Sequence, residues 1–182
     1  MEANKTTKSA DGSSTEASVK TNSNGYVSEL KTTETAADGS KTSLEFRGAS
    51  GDEPSGGVGI TLTKFETNGA VAEIPSEVLS PDGNTYPVTV IAKGSIPPVE
   101  EVRIPESIEK LNKGAFKDSG VNNIVITGSV NKGMFEKGSM KGAGGKKGKG
   151  LEIHVQSKDD KKVMKKEAKR GGVPKATIVV DD

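Results

Sequence analysis

The chain has 182 residues, with 26 basic against 25 acidic side chains, 31% hydrophobic and 3% aromatic residues, 23 glycines and no cysteine. The length allows one domain, or one domain with an appendage, and the missing cysteine excludes a disulfide framework and a thiolate metal site. No stretch approaches the roughly 20 apolar residues of a membrane-spanning helix, and so small an apolar fraction suits an array whose core is a narrow strip better than a globular core spread over the whole chain.

Residues 1–47 have their own rhythm. Asp11-Gly12, Asn24-Gly25 and Asp38-Gly39 punctuate Thr-rich runs, and Asp-Gly or Asn-Gly supplies the positive φ of a tight hairpin turn. The runs favour strands but carry few apolar residues, mainly Val19, Val27, Leu30, Leu44 and Phe46. Such strands pair yet bury little. Residues 1–24 therefore read as a disordered polar tail, Tyr26 to Arg47 as paired strands, and the whole as a polar arm that works as a spacer. Residues 48–59, with Pro54 and Gly51, Gly56, Gly57 and Gly59, read as a linker.

From residue 60 the pattern changes. Ile60 to Phe65 alternates as a strand, and Asn68-Gly69 turns it into Ala70 to Ile74, a hairpin expected to cap the first unit of a repeat. The repeat itself is Val71-Ala72-Glu73-Ile74-Pro75 with Lys93-Gly94-Ser95-Ile96, then Glu101-Val102-Arg103-Ile104-Pro105 with Lys113-Gly114-Ala115-Phe116. Its strand returns about 22 residues later as Ile124-Val125-Ile126, then as Leu151 to Val155 and Ala176 to Val180. One copy cannot cover its own apolar face, so neighbours must stack into a solenoid. Alternation points Val102, Ile104, Ile124 and Ile126 inward, with Arg103 and Val125 outward; Ile108, Leu111, Ala115 and Phe116 return to the core from the opposite wall. Lys137 to Gly150, rich in glycine and lysine, reads as a mobile insertion in the third repeat. A helix follows: Ser157 is its N-cap, Val163, Met164 and Ala168 its apolar stripe, and Gly171 its end.

The phrase V-x-I-P-x-x-I-x-x-L-x-x-G-A-F, carried by residues 102–116, resembles the BspA-like branch of the leucine-rich repeats, found mostly in surface and secreted proteins of bacteria and some protozoa. Asp82-Gly83-Asn84-Thr85-Tyr86-Pro87-Val88 is similar to the passage that opens such arrays, and Lys161 to Val180 to their closing helix and strand. The resemblance covers roughly residues 58–182. It implies a leucine-rich-repeat solenoid over 60–182, with short parallel strands, an irregular convex side, a hairpin cap before it and a helix and strand after it. It also implies adhesion or contact with a host or matrix. With the Ser/Thr-rich arm, it points to a secreted or cell-surface protein whose leader is absent from this chain.

Catalytic chemistry is not advertised. His154 is the only histidine; on the outer face of its strand it reads as solvent-facing, neither a metal ligand nor a member of a Ser/His relay. Glu100-Glu101, Asp159-Asp160 and Asp181-Asp182 are adjacent in sequence and do not converge as paired catalytic carboxylates do. Gly145-Lys146-Lys147 lacks the hydroxyl residue of a phosphate loop. The expectation is a non-enzymatic module, without cofactor or metal and without specific nucleic-acid binding, that recognises a protein or glycan. Glu73, Arg103, Val125 and Glu152 are placed in one exposed row, flanked by Glu101, Asn123, Thr127 and His154. Residues 132–170 carry thirteen basic and five acidic side chains, and Lys137, Lys141, Lys146, Lys147 and Lys149 form a candidate polyanion patch. The alternative is a structural spacer or accessory domain of a larger surface protein, with weak polyanion attraction through these lysines.

Overall fold

A computed structural model describes residues 1–48 and 59–181. Apart from Gly48 and Gly59, the expected linker lies outside them. Among the described residues the protein is rich in β-structure, with one mixed sheet, one parallel sheet, a short 3-10 turn at Lys146–Gly148 and one α-helix near the C-terminus.

The mixed sheet begins as a meander of β1 (Glu2–Lys8), β2 (Ser14–Thr21), β3 (Val27–Thr35) and β4 (Lys41–Gly48), each antiparallel to the next. Residues 1–24 are thus paired strands, not the polar tail that their composition suggested. The turns explain it. Asp11 and Asp38 each accept a hydrogen bond from the N–H two residues ahead, at 2.9 and 2.8 Å, and the glycine between takes φ near +91° or +84°. Each turn therefore pre-sets its hairpin and brings the Thr runs into register.

Nor does the arm bury little. β4 pairs with β5 (Ile60–Thr67), so the sheet continues directly into the repeat region. Register places Ala3, Val19, Leu30, Phe46 and Leu62 in one row across five strands, and Leu30, Phe46 and Leu62 are fully buried. The opposite face carries exposed ion pairs such as Lys31–Glu45, which add solubility more than stability.

Asn68-Gly69 does not close the expected hairpin. The chain leaves the mixed sheet there, and β6 (Val71–Glu73) starts the parallel one. That sheet adds β9 (Glu101–Ile104), β11 (Asn123–Ile126), β12 (Glu152–Val155) and β13 (Thr177–Val180), in the order β6-β9-β11-β12-β13. Ala72, Val102, Ile124, Ile153 and Ile178 are partners across it, all buried. The far side, expected to be irregular, holds a ladder as well. β7 (Glu77–Leu79) lies antiparallel to β8 (Thr85–Ile91); β8 runs parallel to β5 and to β10 (Lys110–Leu111), and Leu111 bridges on to Phe135.

Between the two sides the turns stack through their backbones. The Gly94 N–H donates to the Gly114 carbonyl at 2.9 Å, Gly114 to Gly138 at 3.2 Å, and Gly138 to Arg170 at 3.0 Å. The Phe116 N–H donates to the Ser139 carbonyl, and that of Met140 to Gly171, both at 3.0 Å. Lys137-Gly138-Ser139-Met140 is therefore a further copy of Lys113-Gly114-Ala115-Phe116, not a mobile insertion. Ser139, Met140 and Ala143 are fully buried. A Cβ at Gly142 would collide with the Phe116 carbonyl, and one at Gly144 with Leu151, so glycine marks close approach there, not looseness.

The helix α1 (Lys158–Gly171) closes the stack. Ser157 caps it by accepting from the Asp160 N–H at 3.0 Å, and its C-cap is Gly172 in the left-handed region, one residue beyond the expected end. The expected stripe omitted Glu167, which is buried with Met164 and Ala168, while Val163 is only half-buried. The Asp160 carboxylate accepts from the Val130 N–H at 2.8 Å, and that of Glu167 from the Phe135 N–H at 3.2 Å. These N–H groups lie at the end of the stack, where no further repeat turn follows to accept from them. Two carboxylates on the helix satisfy them instead.

Ser139 stands where the preceding copy has Ala115, and its buried hydroxyl has no hydrogen-bond partner. Ser139→Ala should raise the unfolding free energy by about 1 kcal/mol, measured by urea denaturation. Glu136 accepts from Lys110 and from the Lys113 N–H at 2.7 Å each, and the Lys110 ammonium, with that N–H, holds its carboxyl below the usual carboxylate range. A lowered folded-state pKa gives stability that is complete above the unfolded-state value of about 4.3 and is lost as pH falls through the folded value. Glu136→Gln should therefore flatten the loss of stability between about pH 5 and pH 3, and match the parent protein more closely at the acid end.

Candidate functional site

Each strand of the parallel sheet is only three or four residues long, so it shows solvent two rows of side chains at most. Register fixes both. One row is Glu73, Arg103, Val125, His154 and Val179; the other is Val71, Glu101, Asn123, Glu152 and Thr177. Glu73, Arg103 and Val125 share a row as expected. Glu152 does not join them: it pairs with Asn123, and His154 takes the place beside Val125. The error is a two-residue register slip across the long connection between β11 and β12; two positions keep the side chain on the outer face but move it to the neighbouring row. Thr127 lies just past β11, where its hydroxyl donates to the Ile104 carbonyl at 3.4 Å.

Polar side chains on the face hold one another. Glu101 accepts from Arg103 Nε through one oxygen and from Asn123 Nδ2 through the other, both at 2.7 Å. This hydrogen bond, with the Glu101 charge, raises the Arg103 pKa and keeps the guanidinium firmly protonated. His154 is not simply solvent-facing. Its side chain is 23% exposed, Nδ1 lies 2.6 Å from the Asp181 carboxylate and Nε2 3.7 Å from that of Glu152. A carboxylate only accepts, so Nδ1 carries the proton and donates. The ring is thus held between two carboxylates, that of Asp181 at Nδ1 and that of Glu152 at Nε2. Val125 and Val179, both half-buried, flank it. Val179 was missed, although the inward Ile178 of Thr177-Ile178-Val179-Val180 already implies that its neighbour points out.

The polyanion patch rests on fixed backbone. Lys137, Lys141, Lys146, Lys147 and Lys149 are all exposed. The stem of Lys141 lies over Gly172, and the Lys147 carbonyl accepts from the Lys175 N–H at 3.1 Å. Among the described residues no group of three or more His, Cys, Asp or Glu side chains is placed to hold a metal ion.

A cleft of about 380 Å³ runs between the meander and residues 73–81, with Thr15, Glu34 and Thr42 on one wall and Glu73, Glu77 and Leu79 on the other. Glu73 belongs to both the cleft and the strand face. Sequence reasoning had no access to it, because it forms only when the arm folds back over β7.

No family model matches the chain, and no curated protein matches it. Among solved structures the chain is similar to a leucine-rich repeat protein from Bacteroides capillosus, with 17% sequence identity and a TM-score of 0.39, over 76% of this chain and 94% of that one.

Proposed function

We propose that residues 71–180 form a leucine-rich-repeat solenoid of the BspA-like kind, and that the protein is a non-enzymatic, secreted or cell-surface module binding a protein or glycan through the outer face of its parallel sheet. The observation that carries this reading is the two-row face itself. Adjacent strands lie about 4.8 Å apart, so the face is a nearly flat, fixed-register surface with an ion pair and hydrogen bond at Arg103, Glu101 and Asn123 and an apolar pair at Val125 and Val179. Side chains already held by neighbours lose little freedom on binding, which favours recognition by a preorganised surface. A flat mixed surface suits a macromolecule better than a small ligand, which needs a concavity. The repeat motif and the Ser/Thr-rich composition of the arm support a surface location.

The test is a glycan and matrix-protein array probed with the full chain. Ligands found there should lose about tenfold in affinity on Arg103→Glu, the loss typical of a central interface charge, while neutralising Lys146, Lys147 and Lys149 should mainly flatten the salt dependence. Array hits that ignore Arg103→Glu and vanish with the lysine changes would move the site off the strand face. An array without saturable binding would favour the spacer.

A further inference from the structure

Helix α1 carries a second surface that shares no residue with the strand face. Lys162, Lys166 and Arg170 stand at i, i+4 and i+8, a single row with about 6 Å between successive positions. Lys132, on the turn after Val130, faces them across a groove of about 270 Å³, whose lining Val163 and Glu167 complete. The carboxylates that might neutralise the row are engaged. Glu167 is 3% exposed, accepts from the Phe135 N–H at 3.2 Å and lies 3.7 Å from Arg170. Asp160 is held by the Val130 N–H. Asp159 reaches Lys162 at 2.8 Å, but both side chains are largely exposed, a contact that solvent and salt weaken. Lys132 and Lys166 have no ion-pair partner among the described residues.

The groove thus gathers four cations against one committed carboxylate, and most of its wall is hydrocarbon from Val163 and the lysine stems. An anion entering it meets positive charge with less screening than on an open surface. We infer that this groove binds a linear anionic polysaccharide, with successive sulfate or carboxylate groups along Lys162, Lys166 and Arg170 and with Lys132 clasping the chain from the other side. Its lining holds no aromatic side chain, so it lacks the stacking platform by which single-stranded nucleic acids are held. A polysaccharide needs only the spaced charges.

The experiment is calorimetric titration of the full chain with heparin, with hyaluronate and with a thymidine oligonucleotide, at low and at physiological salt. Saturable polysaccharide binding is expected, and the stronger of the two polysaccharides tells sulfate from carboxylate recognition. The double change Lys162→Gln with Lys166→Gln should lower the affinity roughly tenfold, the sum of two exposed charge contacts, and flatten its salt dependence. Lys146→Gln with Lys147→Gln removes the same charge from the neighbouring patch and should change the affinity less than about twofold. Arg103→Ala should leave it unchanged, which separates this site from the strand face. All these side chains are exposed, so unchanged melting temperatures will show that the variants fold. Three results would overturn the inference: neither polysaccharide binds, both lysine pairs cause equal losses, or the oligonucleotide binds as tightly as the polysaccharides through Lys162 and Lys166.

Discussion

Backbone hydrogen bonding from each copy of the repeat to the next is the constraint on which the rest of the structure depends. A single copy offers a strand of three or four residues and a turn, too little to cover its own apolar side chains. Stacked in register, the copies satisfy their N–H and carbonyl groups along the stack and bring Ala72, Val102, Ile124, Ile153 and Ile178 into one buried column. The same register decides which outward side chains become neighbours. Arg103 meets Val125, and Glu101 meets Asn123, because the buried residues beside them fit only in that alignment.

Stacking leaves two ends that must be closed, and the protein closes them differently. At the start, β5 lies parallel to β8 and receives the Ala92 N–H at the Leu62 carbonyl, 2.9 Å; β4 and the meander then extend the same sheet outward. At the finish, α1 takes up the N–H groups of Val130 and Phe135 with the carboxylates of Asp160 and Glu167. One consequence is electrostatic. Because the acids of α1 are turned to the stack or tied to a neighbour, its outer side is left to lysine and arginine. The cationic groove follows from how the stack is ended.

The periodic strands were legible because two signals agreed, alternation within the strand and recurrence between copies, so the inward set from Val102 to Ile126 followed from sequence alone. The opposite wall was legible at Ile108, Leu111 and Phe116 for the same reason. Three features escaped. Lys137-Gly138-Ser139-Met140 was hidden by glycine content, since Met140 stands where Phe116 does and the lysine-glycine pair looks like the rest of a flexible run; comparison with Lys93-Gly94-Ser95-Ile96 holds the signal. The pairing of residues 1–24 was hidden by low hydrophobicity, because their stability comes from turn geometry and from the Val19, Leu30 and Phe46 row, which exists only once four strands align. The neighbours of His154 were hidden by distance along the chain: Asp181 lies 27 residues away, and nothing local marks the pair. On the strand face, Glu73, Arg103 and Val125 were placed in their correct row, and the placement across the connection from β11 to β12 slipped by two residues.

Amide hydrogen exchange at Gly138 and Met140 tests the stacking account most directly. If residues 137–140 are a copy in the stack, the two N–H groups are donors to Arg170 and Gly171 and should exchange only through opening of the array, as slowly as Gly114 and Phe116. Exchange at Gly138 and Met140 near the rate of an unstructured peptide, with Gly114 and Phe116 still protected, would contradict it.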